Sequence, residues 1–415
     1  MARTSKPAAM GARVLLTALV ACCAASLAIA CRGEAPHALA SADIQQLVDS
    51  LRPAVEMAAA MKFRSAPRAE MRSREQVRAY LAAKLDADLP EAKARGIEAT
   101  YRLFGLLADT VRVRPLLLEL LSEQVVGYYD PDSVMLFGVA GSPRDQLRLV
   151  LAHEMVHALQ GQYLPLDSIF HDLRSNDRLS AAQAILEGQA TYASIRVLAP
   201  GNDITRSEEF WSLYRDQVQA QQASMPVFAR APLIVREGLI FPYIGGAEFM
   251  HWWEASSGHA DTLPYGPRMP ASTEQVLHPD RYARGDAPLR IVTDSVAGTI
   301  YQDVLGELEA RVLVATLTGA ARPDEMAAMG WGGDRYRVID TPGGPALIWF
   351  LAFDDPAARD RFVRMAGVKL GTTARAGYRA LFEPIDLGGH PAIRYVLAPG
   401  AWDRWNTLPA AHIAT

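Results

Sequence analysis

The sequence predicts an α+β protein that is mainly helical, on three observations. Apolar side chains recur at helical spacing through most of residues 42–125. The period shortens to that of strands on either side of Asp130-Pro131-Asp132-Ser133, which reads as a hairpin. A second run of strand patterns, with one helix among them, fills the last third of the chain. The expected organisation is a leader over 1–31, a helical region over 32–125, a core over 126–287 and a small α+β subdomain over 288–415.

The leader comes first. Arg3, Lys6 and Arg13 precede an apolar run from Val14 to Ala30, and Cys31 follows before the chain turns polar at Arg32-Gly33-Glu34. This pattern resembles a bacterial lipoprotein signal with Cys31 as the lipidated residue; Cys22, after Leu19-Val20-Ala21, is the alternative. Cleavage at Cys22 would leave an apolar mature N-terminus, which favours Cys31. A plain secretory signal or an uncleaved anchor helix is the alternative, and export follows in every case; the lipoprotein reading places a lipid anchor in the cell envelope, with the chain on the periplasmic side of a membrane or at the cell surface.

Cysteine usage and charge narrow the chemistry. All three cysteines, at 22, 23 and 31, lie in the leader, so the remainder has no thiol for a disulfide or a thiolate metal site. Any metal there must be held by imidazole and carboxylate. Without the leader, 39 basic side chains face 46 acidic ones, a net charge of −7 with no concentrated basic patch. Nucleic acid is not an expected partner.

Helices are expected where Ile44, Leu47, Val48 and Leu51 share one face and where Val77, Tyr80, Leu81 and Leu85 share another. More continuously buried stretches follow at Tyr101 to Leu107 and Leu116 to Leu121, while the polar stretch Ala66 to Arg74 reads as a connection. The hairpin strands are Val125 to Tyr129 and Val134 to Val139. Ser142-Pro143 then signals a helix start, and this helix should run to about Gln162.

That helix carries the chemistry. In Ala152-His153-Glu154-Met155-Val156-His157, the two histidines are one turn apart and share a face. Two imidazoles so placed can grip one metal ion, with Glu154 beside them as a general base toward water. A metzincin would continue with Gly three positions and His six positions after the second His; Gln160 and Tyr163 stand there instead. The motif then resembles the gluzincin pattern, which implies a Glu from a second helix some tens of residues downstream as third ligand. Ala181 to Ser194 supplies one, with Glu187 alone among small residues and with Gly188, Ala190 and Ala193 permitting close approach. The expected ligands are therefore His153, His157 and Glu187, and the expected ion is zinc.

Farther on, Ser207 to Ala223 reads as an amphipathic helix. Ala231 to Val235 and Phe241 to Gly246 lead into a helix bearing Phe249, Trp252 and Trp253. The segment from Pro270 to Tyr282 is dense in polar side chains. An oxyanion donor must come from outside the two ligand helices, and His278 is the first candidate, Tyr282 the second. Helices are then expected at Ala297 to Thr318, Pro323 to Met329 and 355–366, and strands at Tyr336 to Ile339, Ala346 to Phe353, 378–383 and 391–397, a ββαββ order with no apparent chemistry.

Taken together, Gly-Tyr-Tyr-Asp-Pro at 127–131, His-Glu-Met-Val-His-Ala-Leu-Gln at 153–160, Leu-Glu-Gly-Gln-Ala-Thr at 186–191, Phe-Pro-Tyr at 241–243, Ser-Thr-Glu-Gln-Val-Leu-His-Pro at 272–279 and Gly-Trp-Gly-Gly-Asp at 330–334 resemble a poorly characterised prokaryotic family of gluzincin-type metallopeptidases. The resemblance spans roughly residues 125 to 360. It implies a gluzincin-like core, Zn2+, peptide or protein substrates, and zinc or base positions at His153, Glu154, His157 and Glu187. Many gluzincins have an Asp four residues after the ligand Glu to orient a histidine; Thr191 stands there, which leaves the orienting partner unassigned. The competing expectation is a non-catalytic lipoprotein acting in binding or assembly, its zinc closed off by a fourth ligand such as His171 or His278.

Overall fold

The structure is a computed structural model describing residues 41–171, 175–199, 201, 204–256, 262–372 and 375–414. It is 55% helical and 17% strand, an α+β protein. The leader, with Cys22 and Cys31, lies outside the described residues. Among the described residues no helix is long and apolar enough to cross a membrane. The chain forms two units, one from the described parts of Met1–Glu91, Arg114–Asp172 and Leu186–Ala229, the other from those of Ala92–Val113, Leu173–Ile185 and Arg230–Thr415. These limits cut the chain differently from the expected divisions at 125 and 287.

The first unit is built around a buried helix. Helices α1 (Ser41–Ala58), α2 (Arg74–Asp88), α4 (Val113–Gln124) and α5 (Arg144–Tyr163) accompany strands β1 (Arg68–Arg72), β2 (Gly127–Asp130) and β3 (Met135–Val139). Helix α3 (Glu91–Phe104) falls almost wholly in the second unit. The sheet order is β1-β3-β2, with β2 and β3 the expected antiparallel hairpin. Strand β1 corrects the expected connection at 66–74: it pairs in parallel with β3, Ala69 opposite Leu136. Its own residues alternate poorly, so a neighbouring strand more than sixty residues away makes it a strand.

Helix α5 is buried on nearly all sides between Leu147 and Gln160. Ile44, Leu47, Val48 and Leu51 of α1 join Leu147, Leu151, Met155 and Leu159 of α5 in one apolar cluster. Ala190 and Ala193 belong to the same cluster. They lie on α7 (Asn176–Leu198), which follows the short α6 (Leu166–His171). Small side chains there let the second helix come close, as their sequence pattern suggested. Each large apolar side chain so buried contributes about 1.5–3 kcal/mol, which anchors the polar motif in an otherwise apolar setting.

After α8 (Glu208–Ala223) and α9 (Pro226–Arg230), the second unit continues with α10 (Leu233–Ala255), α11 (Thr273–Leu277), α12 (Pro279–Ala283), β4 (Ile291–Thr293), β5 (Thr299–Asp303), α13 (Gly306–Thr318), β6 (Trp331–Ile339), β7 (Ala346–Phe353), α14 (Pro356–Leu370), β8 (Tyr378–Leu387), β9 (His390–Pro399) and β10 (Ala411–Ile413). Five strands form an antiparallel sheet in the order β5-β6-β7-β9-β8. The expected ββαββ order is present, extended by β5. Trp349, Leu351 and Phe353 of β7 face one apolar cluster, with Phe362 and Ala366 of α14; Ile348, Phe350 and Ala352 face another, with Ile291 and Trp402. Asp355 starts α14 by accepting from Ala358 N at 2.8 Å, with Pro356 in the first turn.

Three expectations for this part are corrected. Residues 299–303 are strand rather than helix, because β6 offers them a free edge. Residues 323–329 form turns with no helix. The two apolar stretches at 231–246 belong to one helix, α10, which runs through Pro242. The hydrogen bond that proline removes is outweighed by burial of Phe241, Tyr243, Ile244, Phe249 and Trp253 on the same helix.

Candidate metal centre

Three donor atoms converge in the first unit. His153 and His157, four residues apart on α5, stand with their Nε2 atoms 3.1 Å from one another. Glu187 Oε2, from α7, lies 3.0 Å from His153 Nε2 and 3.3 Å from His157 Nε2. A tetrahedral ion with bonds of about 2.0–2.1 Å has ligand atoms about 3.3 Å apart, so the triangle has nearly the right size for one face. All three residues are buried. The group could bind a metal ion.

A glutamine fixes the orientation of one ligand. Gln160 Nε2 donates to Leu186 O and to Gln189 Oε1, both at 2.9 Å. Its Oε1 is thereby turned toward His157 Nδ1, 2.8 Å away. His157 must donate from Nδ1, which leaves Nε2 for the metal. Gln160 thus fills the orienting role for which Thr191 offered no candidate. Its position three residues after His157, on the same helix face, was a signal available in the sequence. Thr191 is fully buried, and its Oγ1 has no partner.

Glu154 sits next to this triangle and is itself fully buried. Oε2 accepts from the Tyr129 backbone N–H of β2 at 2.8 Å. Oε1 is buried without a partner, as is Glu187 Oε1. Two orphaned carboxylate oxygens in an apolar surround would be costly; beside a metal ion and its water they are matched, so the donor set fits a bound metal. No family model, no curated protein and no solved structure matches the chain.

The electrostatics of the metal-free site follow from burial and close charge. Burial pushes the Glu154 carboxyl up to about 8, against the pull of His157 and the Tyr129 N–H. Burial also pulls His157 down, but the Glu187 charge and its hydrogen bond outweigh it and leave the imidazole at about 9. Burial lowers His153. For Glu187, burial is opposed by the His157 charge and by hydrogen bonds from both imidazoles, and the carboxyl ends below its ordinary value.

The structure brings together His153, Glu154, His157 and Glu187, and places the other two sequence candidates in the second unit. His278 Nε2 lies 3.0 Å from Glu307 Oε1 and 2.8 Å from Arg311 Nη2. Tyr282 donates from its hydroxyl to Arg268 O at 2.6 Å and packs its ring against Phe249 and Trp252. The side chain of His171 lies outside the described ones.

Proposed function

We propose that this protein is an exported, lipid-anchored zinc metallopeptidase with a gluzincin-like core, acting on peptide or protein substrates. The observation that carries the reading is the convergence of two imidazole nitrogens and one carboxylate oxygen beside a buried glutamate with one unpartnered oxygen. His153, His157 and Glu187 would hold the ion, and the absence of cysteine outside the leader makes His and carboxylate the available donors. Zinc bound there would polarise a peptide carbonyl and lower the pKa of a coordinated water.

The chain's own residues supply the rest. Tyr129 N–H holds one oxygen of Glu154, which leaves Oε1 to take a proton from water and pass it to the leaving amine. Gln160 keeps His157 in the ligating tautomer. The reading rests on His153, Glu154, His157 and Glu187 alone, since His278 and Tyr282 are engaged with Glu307, Arg311 and Arg268.

The test is metal content and peptide cleavage measured together. The purified protein should hold one zinc per chain, and His157→Ala and Glu187→Ala should lose it or bind it much more weakly. Glu154→Gln should keep zinc and lose cleavage of a mixed peptide library. A folded protein that binds no zinc would end the proposal. Zinc retained with no cleavage by the parent would favour the closed structural site.

A further inference from the structure

The second unit contains a cleft of about 750 Å³, the size of pockets that take small organic molecules rather than single ions. Four arginines are among its lining residues, Arg178, Arg290, Arg335 and Arg337. None of the four forms an ion pair among the described residues. Their presence is not the by-product of a basic surface, because the whole chain carries a formal charge of −4.

Arg335 and Arg337 stand two residues apart on β6 and project from the same face of the sheet. Neutral hydroxyls hold Arg337: its Nη2 donates to Thr293 Oγ1 at 2.9 Å and its Nη1 to Thr299 Oγ1 at 3.1 Å. These bonds fix the guanidinium without pairing it to a carboxylate. Burial and the neighbouring Arg335 charge both lower the Arg337 pKa, with Asp294 opposing them from beyond ion-pair distance.

Two carboxylates also line the cleft, and both are already satisfied. Asp334 accepts from Leu305 N, Gly306 N, Trp331 Nε1 and Trp349 Nε1. Asp177 Oδ1 accepts from both the backbone and the hydroxyl of Thr273. Both residues are buried, at 3% and 2% exposure. Burial pushes Asp177 up to about 7, which reduces the negative charge it offers the arginines.

We propose that this cleft binds a small organic anion whose carboxylate or phosphate groups are taken by Arg335, Arg337 and Arg178. The guanidinium fork matches both oxyanions in a bidentate geometry, and an anion would relieve the repulsion between adjacent arginines. Apolar walls from Leu289 and Val304 leave room for a carbon skeleton.

Titration calorimetry on the full chain tests this with two probes, succinate for carboxylates and phenyl phosphate for phosphates, and with benzyl alcohol as the neutral control. At least one anion should bind saturably, more weakly as sodium chloride is raised, and benzyl alcohol should not. Arg335→Gln and Arg178→Gln should each weaken that binding about tenfold or more, with the ligand-free melting temperature little changed. If one variant fails to fold, the other decides. The anion that binds tells carboxylate from phosphate. Binding should persist in His157→Ala, which separates this cleft from the metal centre and keeps its fate distinct from that of the peptidase reading. The proposal is overturned if neither anion binds at millimolar concentration, if binding vanishes in His157→Ala, or if the arginine variants bind as the parent does.

Discussion

Gln160 Oε1 lies 2.8 Å from His157 Nδ1, and the other end of the same amide is pinned by Leu186 O and Gln189 Oε1. An amide held at its nitrogen end cannot flip, so it imposes one tautomer on the imidazole. Gln160→Leu should therefore weaken metal binding by roughly tenfold to a hundredfold while the helix stays folded. Competition against a chromogenic chelator measures it; an unchanged affinity would remove Gln160 from the metal centre.

Metal uptake should release protons. In the metal-free chain, His157 stands at about 9 and Glu154 at about 8, so near neutral pH a proton occupies the face that a metal must take. Affinity should rise with pH across that range. Calorimetry in two buffers of different ionisation enthalpy should give different apparent heats; identical heats would mean that no proton leaves.

The same shifts set the stability of the metal-free protein. Burial raises Glu154 and lowers His157, but the Glu187 charge and hydrogen bond outweigh it for His157, so both end above their ordinary values of 6.5 for His157 and 4.5 for Glu154. Through these two groups the folded state binds more protons than the unfolded one, so their share of the stability falls as pH rises, while His153 and Glu187, both below their ordinary values, act in the opposite sense below 6.5 and 4.5. The His157 contribution is fully present below 6.5 and is lost as pH passes about 9; the Glu154 contribution is lost between 4.5 and about 8. Denaturant midpoints with metal removed should fall between 6.5 and about 9, above the range in which His153 and Glu187 oppose the trend, and Glu154→Gln should shed its share of the slope.

Two glycines of α10 should respond in opposite ways. A Cβ on Gly246 would lie 1.9 Å from Ala184 O, a backbone atom that cannot step aside, whereas a Cβ on Gly238 meets nothing within 4 Å. Gly246→Ala should cost about 3 kcal/mol or more, and Gly238→Ala should stabilise by about 0.5–1 kcal/mol. Equilibrium unfolding distinguishes them; equal effects would show that α10 does not need the close approach at Gly246.

Asp334 ties the start of α13 to two strands through four donors, the amides of Leu305 and Gly306 and the indoles of Trp331 and Trp349. Asp334→Ala would leave all four buried and unpaired. A loss of about 3 kcal/mol or more is expected, read from urea unfolding and accompanied by a change in tryptophan fluorescence.

Local spacing made much of this protein legible. Imidazoles four residues apart on one helix meet wherever the helix forms, so His153 and His157 required only periodicity. The hairpin at 127–139 was announced by its turn residues, and the strands of the second unit by their apolar runs. Glu187 was readable only beside the two histidines and the gluzincin resemblance, since a lone helix carboxylate by itself reads as solvated. Other features depended on distant partners. Strand β1 exists through its pairing with β3, β5 through β6, and the path of α10 across Pro242 through the side chains it buries.

By itself, then, the sequence pointed to the group that could bind a metal, the helix that presents its two histidines and the α+β class, because the histidines and the class follow from contacts within a few turns of chain. Tertiary structure alone decided that Leu186 O and Gln189 pin the Gln160 amide, that His278 is bound to Glu307 and Arg311, and that four arginines from three separate segments share a cleft. Those outcomes depend on which distant groups meet. A hydrogen bond or a charge cluster is fixed by distances of a few ångströms in space, to which separation along the chain gives no guide.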